Sequence, residues 1–436
     1  MRKLLPNLAI TLALLATAVP LAMLPWPALL ALAIVLALWM VLSHRGQQTW
    51  AVTRVGLSTL GQRLGSSSVV VVGIAGVVGV LVALLAMGEG FRATLAETGS
   101  DDTVLVTRAG ANAELNSVLL HDAVVQIEQA PGILKDAQGR PIASPELVVV
   151  ASLPRQGSGL DANVQIRGVG PQVRELRPQV EITAGRYFEP GLRELVVGKG
   201  AAEQFQGLEL GAQIRLNNQV WTVVGTFRAG DAFDSEVWAD ADIVASTYRR
   251  GNSVTDVTVK LVNADALDGF KAALAANPQL KVDAETTRAY FSKQSEGLSR
   301  LLRIVGSVVG AIMAIGAIFG ALNTMYAAVA ARAREIATLR AIGFRGLPVV
   351  VSVMLETMLL ALAGGLLGAA VAWLLFDNYT VSTLSQNFSQ VVFAFRVSPA
   401  LVLTGLKWAL VIGFIGGLFP ALQAARLPVT TALREL

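Results

Sequence analysis

The 436-residue chain contains no cysteine and only two histidines, His44 and His121. The absence of cysteine excludes disulfides, thiolate metal sites and cysteine nucleophiles, and it leaves the redox compartment undetermined. The two histidines lie far apart in the sequence, which argues against a histidine-based metal site or catalytic triad.

Charged residues are also scarce. They make up 15% of the chain, and the formal net charge is only +4. Basic residues are not interleaved with aromatic residues in the way that is typical of nucleic-acid-binding surfaces, so we expect no nucleic-acid partner.

The sequence lacks a phosphate-binding loop. The segment Gly198-Lys199-Gly200 has neither the upstream glycine nor the following serine or threonine of that motif. We therefore expect no ATP hydrolysis by this chain itself and no cofactor on it.

The sequence around Asp231, Asp234 and Glu236 lacks the glycine and the terminal glutamate of a calcium-binding loop, so we predict no metal site there.

Apolar sequence is abundant: 53% of the residues are hydrophobic, and the mean hydropathy is positive. This composition is typical of an integral membrane protein with a soluble insert. We predict an α-helical membrane protein that carries an α+β domain between its first two core spans. The predicted segments are a membrane hairpin (1–46), an interfacial elbow helix (47–66), core span 1 (67–88), the α+β domain with its stalk (89–300), core span 2 (301–330), a loop containing a short helix (331–348), core span 3 (349–376), a short outer loop (377–398), core span 4 (399–425) and a tail (426–436).

The N-terminal segment has two interpretations. Leu4 to Leu24 is apolar and long enough to cross a bilayer, and Ala28 to Leu42 is apolar but short. One interpretation is a hairpin that turns at Pro25-Trp26-Pro27. The other is a signal peptide with Arg2-Lys3 as its n-region, which the second apolar stretch argues against. The hairpin gives six spans, and without it the chain has four.

The α+β domain is predicted from short β-rich runs and helical spacing. The runs are 103–107, 147–151, 163–167, 195–197, 220–224 and 254–262; residues 117–129 and 264–275 have helical spacing. Asn217-Asn218 is typical of a hairpin turn. Glu89 to Glu97 and Thr286 to Leu302 are expected to continue the neighbouring spans as a stalk.

Charge placement indicates the topology. Arginines and lysines concentrate in the loops assigned to the cytoplasm, whereas the short outer loop contains only Arg396. This asymmetry follows the positive-inside rule and places both termini in the cytoplasm.

The loop between core spans 2 and 3 contains a short amphipathic helix. On a helix, Arg332, Glu335, Ile336, Leu339 and Ile342 fall within roughly one third of the circumference. Gly343 is placed to end this helix, and Pro348 suits the first turn of the next one. An ordinary basic cytoplasmic loop is the simpler alternative.

The run AREIATLRAIGFRG and the following VMLETMLLALAGGLLGAA resemble the signature of the MacB/FtsX/LolC-like permeases of ABC transporters, the type VII systems. Three further stretches resemble the same family in the same order: 69–91, 185–211 and 416–436. The resemblance covers most of residues 50–436 and leaves the first 45 residues outside it.

The resemblance implies that the loop helix docks into a separate ATPase subunit. The implied docking residues are Arg332, Arg334, Glu335, Leu339, Arg340, Ile342, Gly343 and Phe344. It also implies an ATPase dimer that binds ATP and magnesium, a second permease copy as homodimer or sibling heterodimer, and a location in the inner membrane. A periplasmic adaptor and an outer-membrane duct are further expected partners.

Three tasks remain open for such a protein: export of a periplasmic substrate, extraction of lipoproteins or lipids, and control of a cell-wall hydrolase. A membrane sensor without an ATPase is a fourth alternative.

Glu356 lies two turns inside core span 3, where a carboxylate is expected to be buried in the bundle or paired with an arginine. Because the family often has an acid here, a structural or coupling role is favoured over proton transport.

Overall fold

The computed structural model describes residues 24–58, 64–344, 346–385 and 388–426. The chain forms two compact units. The helical unit contains Met1–Met87, Leu302–Asp377 and Arg396–Leu436, and the α+β unit contains Gly88–Leu301 and Asn378–Phe395.

The described elements alternate between these units along the chain. The helices are α1 (Trp26–Leu42), α2 (His44–Ser58), α3 (Leu64–Glu97), α4 (His121–Glu128), α5 (Val173–Leu176), α6 (Lys199–Gln204), α7 (Ala241–Thr247), α8 (Leu267–Ala275), α9 (Thr287–Ala331), α10 (Ala333–Ala341), α11 (Gly346–Phe376) and α12 (Pro399–Arg426). The strands are β1 (Thr103–Arg108), β2 (Leu119–Leu120), β3 (Ala143–Pro154), β4 (Asp161–Val169), β5 (Glu181–Gly185), β6 (Glu194–Gly198), β7 (Gln213–Leu216), β8 (Gln219–Arg228), β9 (Glu236–Asp240), β10 (Ser253–Val254), β11 (Asp256–Lys260), β12 (Val282–Thr286), β13 (Thr380–Leu384) and β14 (Gln390–Ala394).

Among the described residues, four helices are long and apolar enough to cross a membrane: Ser67–Glu97 within α3, and the whole of α9, α11 and α12. They confirm the four predicted core spans. Helices α1 and α2 form a bent pair at 100°, which adds a fifth span if the pair counts as one. The first arm of the predicted N-terminal hairpin lies outside the described residues, so the six-span count stays a prediction.

Glycines allow the spans to approach closely. Gly364 and Gly368 of α11 face Ile74 and Ala75 of α3, whereas Gly365 faces Ala409 of α12. Small residues at such contacts let helix backbones pack tightly in a membrane, where dispersion contacts replace the hydrophobic effect. Gly316 and Gly320 of α9 differ, because no described atom outside their own helix lies within 4 Å of a Cβ built on either.

The α+β unit contains a ten-stranded sheet with the order β12-β1-β11-β3-β4-β9-β6-β8-β5, and β7 pairs with β8. Strand β3 belongs to two halves of this sheet. Its residues 143–146 pair with β11, and residues 147–154 pair with β4. The unit therefore consists of two lobes that share one strand.

Each lobe has its own apolar core. Lobe 1 contains β1, β11, β12, α4 and α8, packed around residues such as Val106, Ile127 and Phe270. Lobe 2 contains β4, β6 to β9, α6 and α7, packed around residues such as Ile166 and Trp221. An α+β segment of this length can form one domain or two subdomains. The structure shows one sheet with two cores.

Strands β13 and β14 belong to the α+β unit, although the sequence assigns them to a separate short outer loop. They pair antiparallel as a hairpin, with Val391 and Phe393 buried. The ring of Phe393 lies 5.3 Å from that of Phe91 at an edge-to-face angle. The alternating apolar residues Val391, Phe393 and Phe395 in this stretch are a strand signal that the predicted loop did not take into account.

Five of the six predicted β-rich runs lie within single strands, and the sixth, 254–262, covers the end of β10, the whole of β11 and three residues outside them. The two predicted helices are present as α4 and α8, but each begins a few residues later than the segment predicted for it, and residues 119–120 of the first segment form β2. Asn217 and Asn218 form the β7–β8 turn with φ of 43° and 64°, as a type I′ turn requires. Strands β2, β5, β7, β9 and β12 lie outside the six predicted runs. They are short, and β5 carries a register shift between Ile182 and Ala184, which disturbs its alternation.

Candidate functional site

The loop helix α10 begins directly after a break at Arg332, whose backbone has φ −105° and ψ 10°. It ends in a Schellman motif: Gly343 has φ +107°, its N–H bonds to the carbonyl of Arg340, and the N–H of Phe344 bonds to that of Leu339. Gly343 thus ends the helix as the sequence predicts, because only glycine adopts this backbone conformation without strain.

Arg332 joins α10 to core span 3. Its Nη1 donates to Oε2 of Glu356 at 3.0 Å, and its Nε donates to Oε2 of Glu335 at 3.2 Å. Arg332 and Glu356 are buried, with 6% and 5% of their surfaces exposed. Glu356 is therefore both buried in the bundle and paired with an arginine, the two situations that its position indicates. A buried charge of this kind depends on its partner, because removing the partner leaves the desolvation cost uncompensated.

The elbow helix α2 covers this ion pair. A Cβ built on Gly56 would lie 3.2 Å from both Nη atoms of Arg332 and 3.3 Å from Oε2 of Glu356. Thr49 and Thr53 on the same helix are also buried. The elbow helix, the loop helix and core span 3 thus meet at one point.

The residues predicted to share one face of α10 do not all lie in the same environment in the structure. Ile336 is buried among Val329, Val349 and Ala424 from three different spans. Arg332 lies before the helix and points inward, whereas Ile342 lies after its last residue and is 69% exposed. The helix is shorter than the predicted segment 331–348, so the two ends of the predicted stripe leave helical geometry.

The outward surface of this segment is small and mixed in character. Arg334, Glu335, Thr338 and Ile342 are exposed, and Gly343 is exposed at the helix end. Leu339, Arg340 and Phe344 are half-buried. We call the exposed residues 334, 335, 338, 342 and 343 the outward surface of α10.

A second site, which sequence reasoning missed, lies between the two lobes. Arg167 on β4 is completely buried, and its five N–H donors all bond to carboxylates. The bonds run to Glu114 (2.7 and 3.2 Å), Glu146 (2.9 Å) and Glu236 (both 2.8 Å). Because Glu114 belongs to lobe 1 and Glu236 to lobe 2, Arg167 connects the lobes. We call this group the Arg167 cluster.

Arg177 completes the cluster. It binds Glu146 through two bonds of 2.7 and 2.8 Å, and its guanidinium lies 4.6 Å from the ring centroid of Phe233. Burial alone would raise the pKa of Glu146, but the charges of Arg177 and Arg167 hold that pKa below its usual value. Glu146 therefore stays ionised between its two arginines.

Asp256 adds a fourth buried carboxyl group to the Arg167 cluster. Burial, followed by the charges of Glu114 and Glu146, raises the pKa of Asp256 well above its usual value. The signal in the sequence was a charged residue inside an apolar strand run, as at Arg167 in NVQIRGV.

Asp231 gives this region a pH-dependent stability. Burial raises the pKa of Asp231 to about 6, against an unfolded value near 3.8. The folded state therefore binds the proton more tightly, so this contribution to stability is present below pH 4 and is lost as the pH rises through 6. We expect Asp231→Asn to stabilise the region by about 1–3 kcal/mol at pH 7.5 and to have little effect at pH 4.

Hydrogen exchange of residues 231–240 at the two pH values measures this effect. The asparagine keeps an oxygen for the N–H of Phe233, which Asp231 accepts at 2.9 Å. Asp161→Asn, at an exposed position of the same unit, is the control. Equal effects of Asp231→Asn at both pH values would contradict the prediction.

Comparison with known families matches two parts of the chain. Residues 67–277 match the family described as the MacB-like periplasmic core domain, and residues 307–429 match the family described as the FtsX-like permease C-terminal. Four apolar spans with a sheet-containing periplasmic domain between the first and second define a membrane-embedded permease. The chain belongs to the MacB/FtsX-like family of ABC transporter permeases.

Two relatives have named activities. The macrolide export ATP-binding/permease protein MacB of Bdellovibrio bacteriovorus is 26% identical over 427 residues, which cover 90% of this chain and 61% of that protein. The pyoverdine export ATP-binding/permease protein PvdT of Pseudomonas fluorescens is 26% identical over 406 residues, which cover 87% and 57%. The chain thus spans less than two thirds of each relative.

A solved structure is also similar to part of the chain. The periplasmic region of MacB from Actinobacillus actinomycetemcomitans aligns with a TM-score of 0.34 at 14% identity, covering 45% of this chain and 93% of that structure.

Proposed function

We propose that the chain is the transmembrane subunit of an ATP-driven, MacB-like exporter. Closure of an ATPase dimer at α10 moves the spans, and the motion passes to the periplasmic domain, which expels a periplasmic substrate by mechanotransmission. The export activities in the names of the MacB and PvdT relatives support this assignment over extraction or hydrolase control.

The observation that carries the proposal is the attachment of α10 to the bundle. Ile336 packs against residues of α9, α11 and α12, and Arg332 connects the helix to Glu356. A force applied to the outward surface of α10 therefore acts on three spans at once. A flexible loop would absorb such a force, because it lacks both contacts.

The outward surface of α10 fits a protein partner. It combines the exposed charged residues Arg334 and Glu335 with the exposed apolar side chain of Ile342, so a partner can make an apolar contact while the charges select its orientation. Leu339, Arg340 and Phe344 form its half-buried margin.

The proposed assembly contains two permease copies and two ATPase subunits in the inner membrane. The ATPase is a separate chain and binds ATP and magnesium. A periplasmic adaptor and an outer-membrane duct complete the export route, and both termini of the permease face the cytoplasm. Crosslinking of cells that express a tagged copy, followed by mass spectrometry of the purified complex, tests this composition.

Replacing Glu335 with lysine is expected to uncouple ATP hydrolysis from export. Glu335 has half of its side chain exposed, at 51%, and shares Arg332 with Glu356. The lysine places a positive charge beside Arg332 and reverses the sign of the charge that position 335 presents to the ATPase. Export by the purified complex in proteoliposomes is the measurement, with ATPase rate and membrane insertion recorded in parallel.

Glu296→Lys provides the matched control, because Glu296 is an exposed acid on α9 outside the outward surface of α10. Normal insertion with lost export is the expected pattern for Glu335→Lys, and unchanged export would remove Glu335 from the docking surface.

A further inference from the structure

The two stalk helices connect to lobe 1. Helix α3 ends at Glu97 shortly before β1, and α9 begins at Thr287 directly after β12. Strands β1 and β12 pair with each other in lobe 1. Core spans 1 and 2 are therefore continuous with lobe 1 through the chain itself.

The hairpin β13–β14 lies in the chain between core spans 3 and 4, and it docks on lobe 2. The N–H of Val392 donates to Oγ of Ser235 at 2.8 Å, and Val392 lies against Gly200. Three side-chain contacts extend this docking: Asn163 Nδ2 to the carbonyl of Phe388 (2.9 Å), Ser389 Oγ to Gln165 Oε1 (3.2 Å) and Arg155 Nη2 to Ser382 Oγ (3.3 Å).

The docked hairpin is connected to the Arg167 cluster. Gln165, which accepts from Ser389, donates through Nε2 to Oε1 of Glu236 at 2.7 Å. Glu236 in turn holds Arg167, which binds Glu114 in lobe 1. An unbroken set of hydrogen bonds thus runs from the hairpin through lobe 2 to lobe 1.

The stalk also touches lobe 2. Thr98 Oγ1 accepts from the N–H of Ala232 at 3.0 Å, and the ring of Phe291 lies 5.6 Å from that of Phe233. These contacts lie at the seam between the lobes, beside the Arg167 cluster.

An open cleft of about 870 Å³ lies between the lobes. Lobe 1 contributes His121 and Glu128 to its lining, and lobe 2 contributes Asp240, Asp242 and Arg249. A change in the angle between the lobes would change the width of this cleft, because its two walls belong to different lobes.

We propose that the hairpin is a second mechanical connection, through which core spans 3 and 4 move lobe 2 while spans 1 and 2 hold lobe 1, so that the interlobe cleft opens and closes. Ser389 and Gln165 are positioning residues in this connection. The inference rests on the proposed function for the source of the motion. The docking and its effect on the lobes are properties of this chain alone.

The first test uses the full chain in nanodiscs without ATPase. In Ser235→Ala/Ser389→Ala, two docking hydrogen bonds are lost, and exchange of the Val392 amide is expected to rise about tenfold or more. Thr380→Ala, on an exposed residue of the same hairpin, is the control.

The chain has no cysteine, so spin labels at Asp265→Cys in lobe 1 and Glu209→Cys in lobe 2 report the interlobe distance without background from native cysteines.

The double variant is expected to broaden the interlobe distance distribution, and the control is expected to leave it unchanged. A distribution that stays at wild-type width while the Val392 amide exchanges faster would overturn the proposal, because the hairpin would then be docked without restraining lobe 2.

The second test joins the hairpin to lobe 2 covalently. A Cβ built on Gly200 lies 3.1 Å from Cβ of Val392 and 3.0 Å from the carbonyl oxygen of Asp234, slightly closer than the ~3.5 Å at which disulfide geometry begins. A small backbone shift therefore lets Gly200→Cys/Val392→Cys be oxidised to a disulfide and reduced again. We expect the oxidised complex to keep ATP-driven export at the level of the reduced complex, since the hairpin and lobe 2 move together. Export lost on oxidation and regained on reduction would overturn the proposal.

The two tests separate the two ideas. Failure of the wild-type complex to couple ATP hydrolysis to export would count against the proposed function, whereas the exchange and distance measurements decide the role of the hairpin without any ATPase.

Discussion

Replacing Arg167 with methionine is expected to destabilise the α+β unit by about 3–5 kcal/mol. The change removes five hydrogen-bond donors and leaves Glu114, Glu146 and Glu236 buried around an apolar side chain. Hydrogen exchange of residues 161–169 and 236–240 in the full chain measures the loss, because these strands form the lobe 2 wall of the cluster.

Two further variants test whether the loss of stability in Arg167→Met comes from the unpaired carboxylates. Arg215→Met changes an exposed arginine of lobe 2 and should leave exchange unchanged. Adding Glu236→Gln to Arg167→Met should recover part of the loss, because it removes one uncompensated charge. Wild-type protection in Arg167→Met would show that the carboxylates do not need the arginine.

Replacing Arg332 with glutamine is expected to abolish coupling and to weaken the bundle by about 3–5 kcal/mol. Glu356, which is only 5% exposed, would lose its charged partner and remain as an unpaired buried carboxylate. Glu335 would lose the hydrogen bond through which Arg332 connects it to the bundle. Export by the purified complex and thermal melting of the permease in detergent are the two measurements. Both are expected to fall together.

The exchange of charges tests whether the ion pair itself is needed. Arg332→Glu/Glu356→Arg restores opposite charges at the same two positions and should recover stability more than either single reversal does. Arg334→Gln removes an exposed arginine two residues away and should leave melting unchanged. If Arg332→Gln melts and exports like the wild type, the pair has no role in coupling.

Elements with a strong local signal were predictable. The four core spans follow from apolar runs long enough for a bilayer, and they are present as α3, α9, α11 and α12. The end of α10 at Gly343 and the turn at Asn217-Asn218 follow from residues that adopt positive φ. In each case the physical cause lies within a few neighbouring residues.

The role of Arg332 was predictable only in part. Its spacing of three residues from Glu335 places both side chains on one helical face, and the two form an ion pair at 3.2 Å. Its bond to Glu356, 24 residues away, requires α10 to fold back on core span 3. Arg332 therefore points inward, although the helical projection placed it with the docking residues.

The sequence by itself determined the class of the protein: hydropathy set the spans, charge asymmetry indicated their orientation, and strand patterns separated the α+β domain. Only the tertiary structure decided where Arg167 meets Glu114 and Glu236, and that the hairpin between spans 3 and 4 completes the α+β unit. Burying charges and docking a hairpin depend on contacts between residues more than fifty positions apart, and no local pattern of hydrophobicity or backbone preference records such contacts.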